Sequence, residues 1–156
     1  MQIPYSERNI KYAKGESLAT SIKNLIRYCT ESPQTLFNMH ELSIQLKFPR
    51  RRFYDVINVL SSIGFCDRVE PVSMVWKGKK CVQETILDLL RRAGVFSESV
   101  RLNTIVPLNL CTSISKMTEA FFVLLGAIGR REIDLKEASI FIARGTYRVK
   151  TVTHKL

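Results

Sequence analysis

Residues 49–64 read PRRRFYDVINVLSSIG, and the fold of the first half of the chain turns on them. Phe53, Val56, Ile57, Leu60 and Ile63 recur at the three- and four-residue spacing of a helix with one apolar stripe. Arg51, Asp55 and Asn58, at i, i+4 and i+7, fall on the opposite face. Pro49 suits the start of such a helix and Gly64 its stop, so the predicted helix runs from Arg50 to about Ile63. Its first turn carries Arg50, Arg51 and Arg52 outward, beside the positive end of the helix dipole, where cations are disfavoured. A solvated helix start with an ordinary ion pair explains these charges less well than an anionic partner does. Nothing inside a small domain neutralises three adjacent guanidiniums. Asp55, one turn past Arg51, is placed to hold that guanidinium in a fixed pose.

Outward from this helix, the flanking elements arrange themselves around it. Leu18, Ile22, Leu25, Ile26 and Cys29 mark an amphipathic helix opened by Ser17 and broken at Glu31-Ser32-Pro33-Gln34. A second, short helix is marked by Met39, Leu42, Ser43 and Leu46, with Asn38 as its N-cap. After Gly64, the β-prone runs 65–69 and 74–76 are joined by a turn at Glu70-Pro71. Three helices followed by a β-hairpin is the order of a winged helix, the helix-turn-helix variant whose third helix enters the major groove of DNA. In that position an arginine fork matches guanine O6 and N7 in two hydrogen bonds. Trp76 reads as a core residue closing the sheet.

The chain has 156 residues, 46% of them hydrophobic and 24% charged, a composition that folds and is long enough for two small domains. Lys and Arg number 24 against 14 Asp and Glu, for a formal charge of +10. Residues 1–79 and 80–156 each carry 12 basic and 7 acidic side chains, so the excess is shared evenly. The balance fits either a solvated basic surface or a polyanionic partner. The longest apolar run, 120–128, is far short of a bilayer span, and the first 30 residues show no signal-peptide core. Cys29, Cys66, Cys81 and Cys111 are scattered and have no histidine at metal-ligand spacing, which predicts reduced thiols buried as small hydrophobes in an intracellular protein. No phosphate loop, nucleophile elbow or paired-carboxylate arrangement is found, so neither an enzyme, a bound cofactor or metal, nor a small-molecule substrate is expected.

Residues 1–16 form a polar, basic arm, 17–79 the winged helix, and 80–156 a second region in which the same order returns. Ile86, Leu89 and Leu90 echo Ile22, Leu25 and Ile26 at an offset of 64, and Ile128-Gly129 echoes Ile63-Gly64 at 65. Phe141, in the β-prone run 139–143, falls 65 past Trp76. The spacing predicts a duplicated domain, with 101–110 its weakest part and 146–153 a further strand. The fold class expected is therefore α+β, mainly α, a tandem of two winged-helix domains with the second degenerate.

The run Arg51-Arg52-Phe53-Tyr54-Asp55-Val56-Ile57-Asn58-Val59-Leu60, followed by Ile63-Gly64, resembles the recognition-helix signature of the E-two-F/DP family of cell-cycle transcription factors, Arg-Arg-x-Tyr-Asp-(Val/Ile)-x-Asn-Val-Leu. Ser17-Leu18 and Val75-Trp76-Lys77-Gly78 extend the likeness to about residues 15–79. The resemblance implies that Arg51 and Arg52 contact guanines of a G/C-rich core and that Tyr54 supports the helix against the backbone. It also makes Arg8, Lys11 and Lys14 candidates for a minor-groove arm. The short link between helices 2 and 3 resembles the E-two-F branch, whereas the triple arginine is more DP-like. Ser61-Ser62 departs from the family's Glu-Gly. An atypical branch carries two winged helices in one chain, and the internal repeat resembles it. Its second copy reads Ser115-Lys116-Met117-Thr118-Glu119-Ala120 where the first reads Arg50-Arg51-Arg52-Phe53-Tyr54-Asp55, and it cannot fork onto guanines.

The function expected is sequence-specific binding of double-stranded DNA by a nuclear transcription regulator. Arg50, Arg51, Arg52, Tyr54, Asp55 and Asn58 would form the reading face, and a DP-like partner or a second copy would cover the other half-site. The second half, whose third helix is apolar around most of its circumference at Phe121, Phe122, Leu124, Leu125 and Ile128, would pack within its own domain or on a partner. The rival reading is a tandem winged-helix adaptor that uses both domains for protein–protein contact without reading DNA.

Overall fold

The computed structural model describes residues 16–99, 101–106 and 113–144. The chain divides into two compact units, with the boundary between Lys80 and Cys81.

In the first unit, α1 (Leu18–Glu31) starts on Ser17, whose hydroxyl accepts from the Thr20 amide, and buries Ser21, Leu25 and Cys29 at a strict four-residue step. It stops before Pro33, as expected. A short strand β1 (Leu36–Asn38) follows, which the sequence reading does not anticipate. Asn38 then caps α2 (Met39–Gln45) by accepting from the His40 and Glu41 amides. The turn into α3 (Arg50–Ser62) passes through Lys47 in the left-handed region, at φ 50°, and buries Phe48 completely. At the other end of α3, Phe65 N donates to Leu60 O at 2.9 Å and Gly64 N to Ser61 O at 3.2 Å, with Gly64 at φ 88°. This paired closure needs a residue without a Cβ strain penalty, which explains the glycine.

Strands β2 (Cys66–Glu70) and β3 (Ser73–Trp76) form the hairpin, and β1 pairs with the outer side of β3 to give an antiparallel sheet ordered β1-β3-β2. Cys66 lies opposite Trp76 and Arg68 opposite Met74, with a bulge between Arg68 and Glu70. The core joins helices to sheet: Leu25, Cys29, Phe37, Met39, Leu42, Phe48, Phe53, Ile57, Leu60, Cys66, Met74 and Trp76 are all buried. Phe48 and Phe53 meet edge to face at 5.6 Å, and the Trp76 indole donates to Thr30 Oγ1 at 3.3 Å. Of the stripe expected on α3, Phe53, Ile57 and Leu60 are buried and Val56 and Ile63 half-buried. Full burial of side chains such as Phe53 and Ile57 contributes roughly 1.5–3 kcal/mol each, and this seats α3.

The second unit's described residues are helical. They form α4 (Val82–Arg92), the single turn α5 (Leu102–Ile105), α6 (Ile114–Ile128) and α7 (Leu135–Ala143) around Leu89, Leu90, Val106, Met117, Ala120, Val123, Leu124, Ala138, Ile142 and Ala143. α6 closes on Gly129 at φ 66°, as α3 closes on Gly64. It approaches α4 so closely that a Cβ on Gly126 would lie 2.5 Å from a Leu90 methyl.

One expectation is corrected here. The run 139–143, expected as the strand equivalent to Trp76, belongs to α7. Asp134 Oδ1 accepts from the Glu137 amide at 2.8 Å to open a helix, and Ala138 and Ile142 bury one face at a four-residue step. Tertiary packing on that face overrides the β preference of Ile140, Phe141 and Ile142. The strand expected at 146–153 lies outside the described residues.

Two expectations about stability follow. Trp76 is the single tryptophan of the chain and sits in the first unit's core, so its fluorescence reports that unit alone. Phe53→Ala, which empties a completely buried site, should lower the free energy of unfolding read by Trp76 in urea by about 3–5 kcal/mol. The second expectation concerns the buried thiols. Burial, helped by the nearby Cys66, pushes the Cys29 thiol up to about 12. Burial first, and then Asp67, pushes Cys66 up to about 11 against the opposing pull of Arg68 and Lys77. Both groups hold their protons above the ordinary value of 9.0, so the stability they lend is complete below that pH and declines as pH rises towards 11–12, where the unfolded chain has already ionised. At pH 8, alkylation followed by mass spectrometry should label Cys29 and Cys66 only after unfolding, whereas half-buried Cys81 should react in the native chain.

Candidate nucleic-acid interface

With Phe53, Ile57 and Leu60 turned into the core, the 100° step of the helix dictates where the remaining α3 side chains go. Arg51, Asp55 and Asn58 lie opposite the core, Arg50 and Tyr54 on the flank towards Asn58, and Arg52 on the other flank. The three arginines thus fan out from the first turn, and all three are exposed.

The helix start that carries them is unusual within its own unit. α1 and α2 begin on Ser17 and Asn38, each accepting amide hydrogen bonds through its side chain, whereas α3 begins on Pro49 with no side-chain cap and no acid in its first turn. Three guanidiniums therefore share the positive end of the helix with amide donors that no capping side chain occupies. That arrangement works against the isolated helix and favours an anion placed at its tip.

Each guanidinium has a different environment. Arg52 Nη1 lies 3.7 Å from Asp55 Oδ2, with the two side chains 58% and 32% exposed, an ion pair worth at most about 1 kcal/mol. The expected Arg51–Asp55 pair is thereby corrected: Asp55 turns to the residue three positions back, not four. The two spacings are nearly equivalent on a helix, and the sequence does not choose between them. Arg51 has no partner among the described residues. Arg50 sits over the Tyr54 ring with its guanidinium carbon 6.0 Å from the centroid.

Tyr54 is half-buried, edge-on to Phe53 at 6.0 Å, which fixes its ring from below. A second guanidinium, 5.8 Å from the same centroid, comes from Arg68 of β2. Arg68 Nη1 also donates to Asn58 Oδ1 at 3.1 Å, and its Nη2 to the Pro71 carbonyl at 3.3 Å. Farther along, Ser62 Oγ donates to the Asn58 carbonyl at 2.7 Å.

The structure thus gathers Arg50, Arg51, Arg52, Tyr54, Asp55 and Asn58 on the accessible side of one helix. Arg8, Lys11 and Lys14 lie outside the described residues. Arg68 was missed by sequence reasoning, although the period-two register of β2 holds the signal. Cys66 is buried on the sheet's inner side, and residue 68 shares that side.

Comparisons with known proteins match this architecture. Residues 14–78 match the family model described as the E-two-F/DP family winged-helix DNA-binding domain. In Arabidopsis thaliana, the E-two-F transcription factor-like proteins E2FD and E2FF are 32% and 33% identical over 76 and 82 residues, or 49% and 53% of this chain. Bovine transcription factor E2F7 is 31% identical over 64 residues, 41% of the chain. The matched stretch spans only 21%, 23% and 7% of those three proteins. No solved structure gives a significant match. The uncapped arginine helix, the hairpin behind it and these similarities agree: residues 14–78 belong to the winged-helix DNA-binding domains of the E-two-F/DP family, on its E-two-F-like branch.

Proposed function

We propose that the chain is a non-enzymatic, nuclear transcription regulator that reads a G/C-rich site in double-stranded DNA with α3 in the major groove. The observation that carries this reading is the first turn of α3: three exposed guanidiniums around an uncapped helix start, Arg51 among them with no partner among the described residues. Arg51 and Arg52 are the readers, each forking onto the O6 and N7 of a guanine. Asp55 steers Arg52, and Arg50 and Tyr54 form the flank that meets the sugar-phosphate backbone. Arg8, Lys11 and Lys14 in the arm add contacts in the neighbouring minor groove. One such helix covers a half-site, so a DP-like partner or a second copy occupies the other. The second unit supports the complex through a partner or through phosphates. Its α6 carries Lys116, Met117 and Glu119 where α3 carries Arg51, Arg52 and Tyr54, and it does not read guanine.

Fluorescence anisotropy at one fixed salt concentration tests the proposal, with a G/C-core duplex and a scrambled duplex, with and without a DP-type partner. Arg51→Ala and Arg52→Ala should each cost about 1–3 kcal/mol on the G/C duplex and far less on the scrambled one. Wild-type affinity should fall steeply as salt rises, since counterions are released at every phosphate contact. Equal and weak binding to both duplexes under every condition would instead leave the adaptor reading, in which these surfaces meet protein.

A further inference from the structure

We propose that Arg68 is a positioning residue for the reading helix: its guanidinium locks the β2–β3 hairpin onto α3, fixing Tyr54 and Asn58 in the pose from which the helix meets DNA. This inference rests on the DNA reading given above and adds a residue from outside the recognition helix.

The strand register puts Arg68 in place. It lies opposite Met74, which is completely buried, so the two side chains leave the sheet on the same, helix-facing side. The bulge between Arg68 and Glu70 leaves Val69 without a cross-strand partner and turns the end of β2. An arginine placed there is too far out to enter the core and too close to α3 to ignore it. Its fork joins three things at once: Asn58 Oδ1 at 3.1 Å, the Pro71 carbonyl at the hairpin turn at 3.3 Å, and the Tyr54 ring at 5.8 Å. Arg50 lies over that ring as well, so the phenol is bracketed by cations from two different elements.

The arrangement also bears on what Asn58 does. An asparagine that reads adenine uses its carbonyl and its amide together. Arginine only donates, so the atom it meets on Asn58 is the carbonyl oxygen, and that oxygen is already engaged. Asn58 therefore holds Arg68 in place, with one lone pair of its oxygen committed to the hairpin. Lysine is a poor replacement for Arg68: its three donors crowd on one atom, whereas the planar fork sends two N–H groups to separate partners in fixed directions.

The experiment uses the full chain with Arg68→Lys, Arg68→Ala, Asn58→Ala and the Arg68→Lys/Asn58→Ala double variant. Three quantities are read for each: the ratio of affinities for G/C-core and scrambled duplexes, the salt slope on the scrambled duplex, and the urea midpoint of Trp76 fluorescence. Arg68→Lys is expected to lower the affinity ratio roughly three- to thirtyfold, with Arg68→Ala no better, the range of a charged hydrogen-bonded network. The double variant should lose no more than the worse single one. The slope for Arg68→Lys should match wild type, and the urea midpoints should fall only slightly, because these hydrogen bonds are exposed. The inference is overturned if Arg68→Lys keeps the wild-type ratio while Arg68→Ala weakens both duplexes equally and lowers the slope by about 0.9, the mark of a phosphate contact alone. It is also overturned if the ratio falls only in step with the urea midpoint, which would make the residue merely structural. A wild type that prefers neither duplex sinks the base-reading proposal itself and this inference with it, and that result differs from both of the others.

Discussion

Everything at the candidate interface depends on the burial of one stripe of α3. Phe53 and Ile57 have no accessible surface, and Leu60 has little. Because a helix advances by a fixed rotation per residue, burying these three leaves no freedom in where Arg51, Asp55 and Asn58 point. Phe48 sets the other end of the constraint. It is buried against Phe53 in the turn before α3, so the helix can neither slide along its axis nor rotate about it without opening the core. The tip of the helix can therefore carry three like charges without a cap, because packing a turn further on supplies the stability that capping supplies elsewhere.

How much of this was legible follows from the range of the signals involved. α1, α2 and α3 announce themselves through caps and periodicity: Ser17, Asn38, the stripe from Phe53 and the closing Gly64 all act within one or two turns. The hairpin is equally local. β1 is not, because three residues with a single buried side chain, Phe37, are too few to show a period, and the strand exists only through its pairing with β3. The choice of Asp55 for Arg52 over Arg51 lies in side-chain rotamers. Arg68 meets Asn58 ten positions away across two elements, although the inward register it shares with Cys66 could have flagged it.

The run 139–143 shows the opposite failure, in which a strong local preference for strand loses. Ile140, Phe141 and Ile142 favour a strand one by one. Asp134 and Glu137 nevertheless stand three apart just ahead of the apolar positions, a helix-opening pattern present in the sequence all along. Once Asp134 caps the turn, Ala138 and Ile142 face the same core. An alternating strand would have buried Ile140 between them, whereas Ile140 is 49% exposed. α6 meets its neighbour on a different principle from α3: Gly126 lets Leu90 of α4 settle almost onto its backbone. The two units share helix-closing glycines and not chemistry.

The four guanidiniums around α3 form a graded series in how far the protein has fixed them in advance. Arg68 is held by two hydrogen bonds and a ring, Arg52 by a loose ion pair, Arg50 by the ring alone, and Arg51 has no partner among the described residues. Holding a long side chain in one pose before binding removes part of the entropy that association otherwise costs. Leaving one without a protein partner means that, in the proposed DNA reading, it exchanges only hydrogen bonds to water when it meets a base. A surface built to discriminate needs both kinds of group: a frame that does not move, and a donor whose hydrogen bonds are made only with the right partner. In the proposed reading the frame begins at Tyr54 and Asn58, and the uncommitted donor, Arg51, sits three residues before Tyr54, on the side the core leaves open.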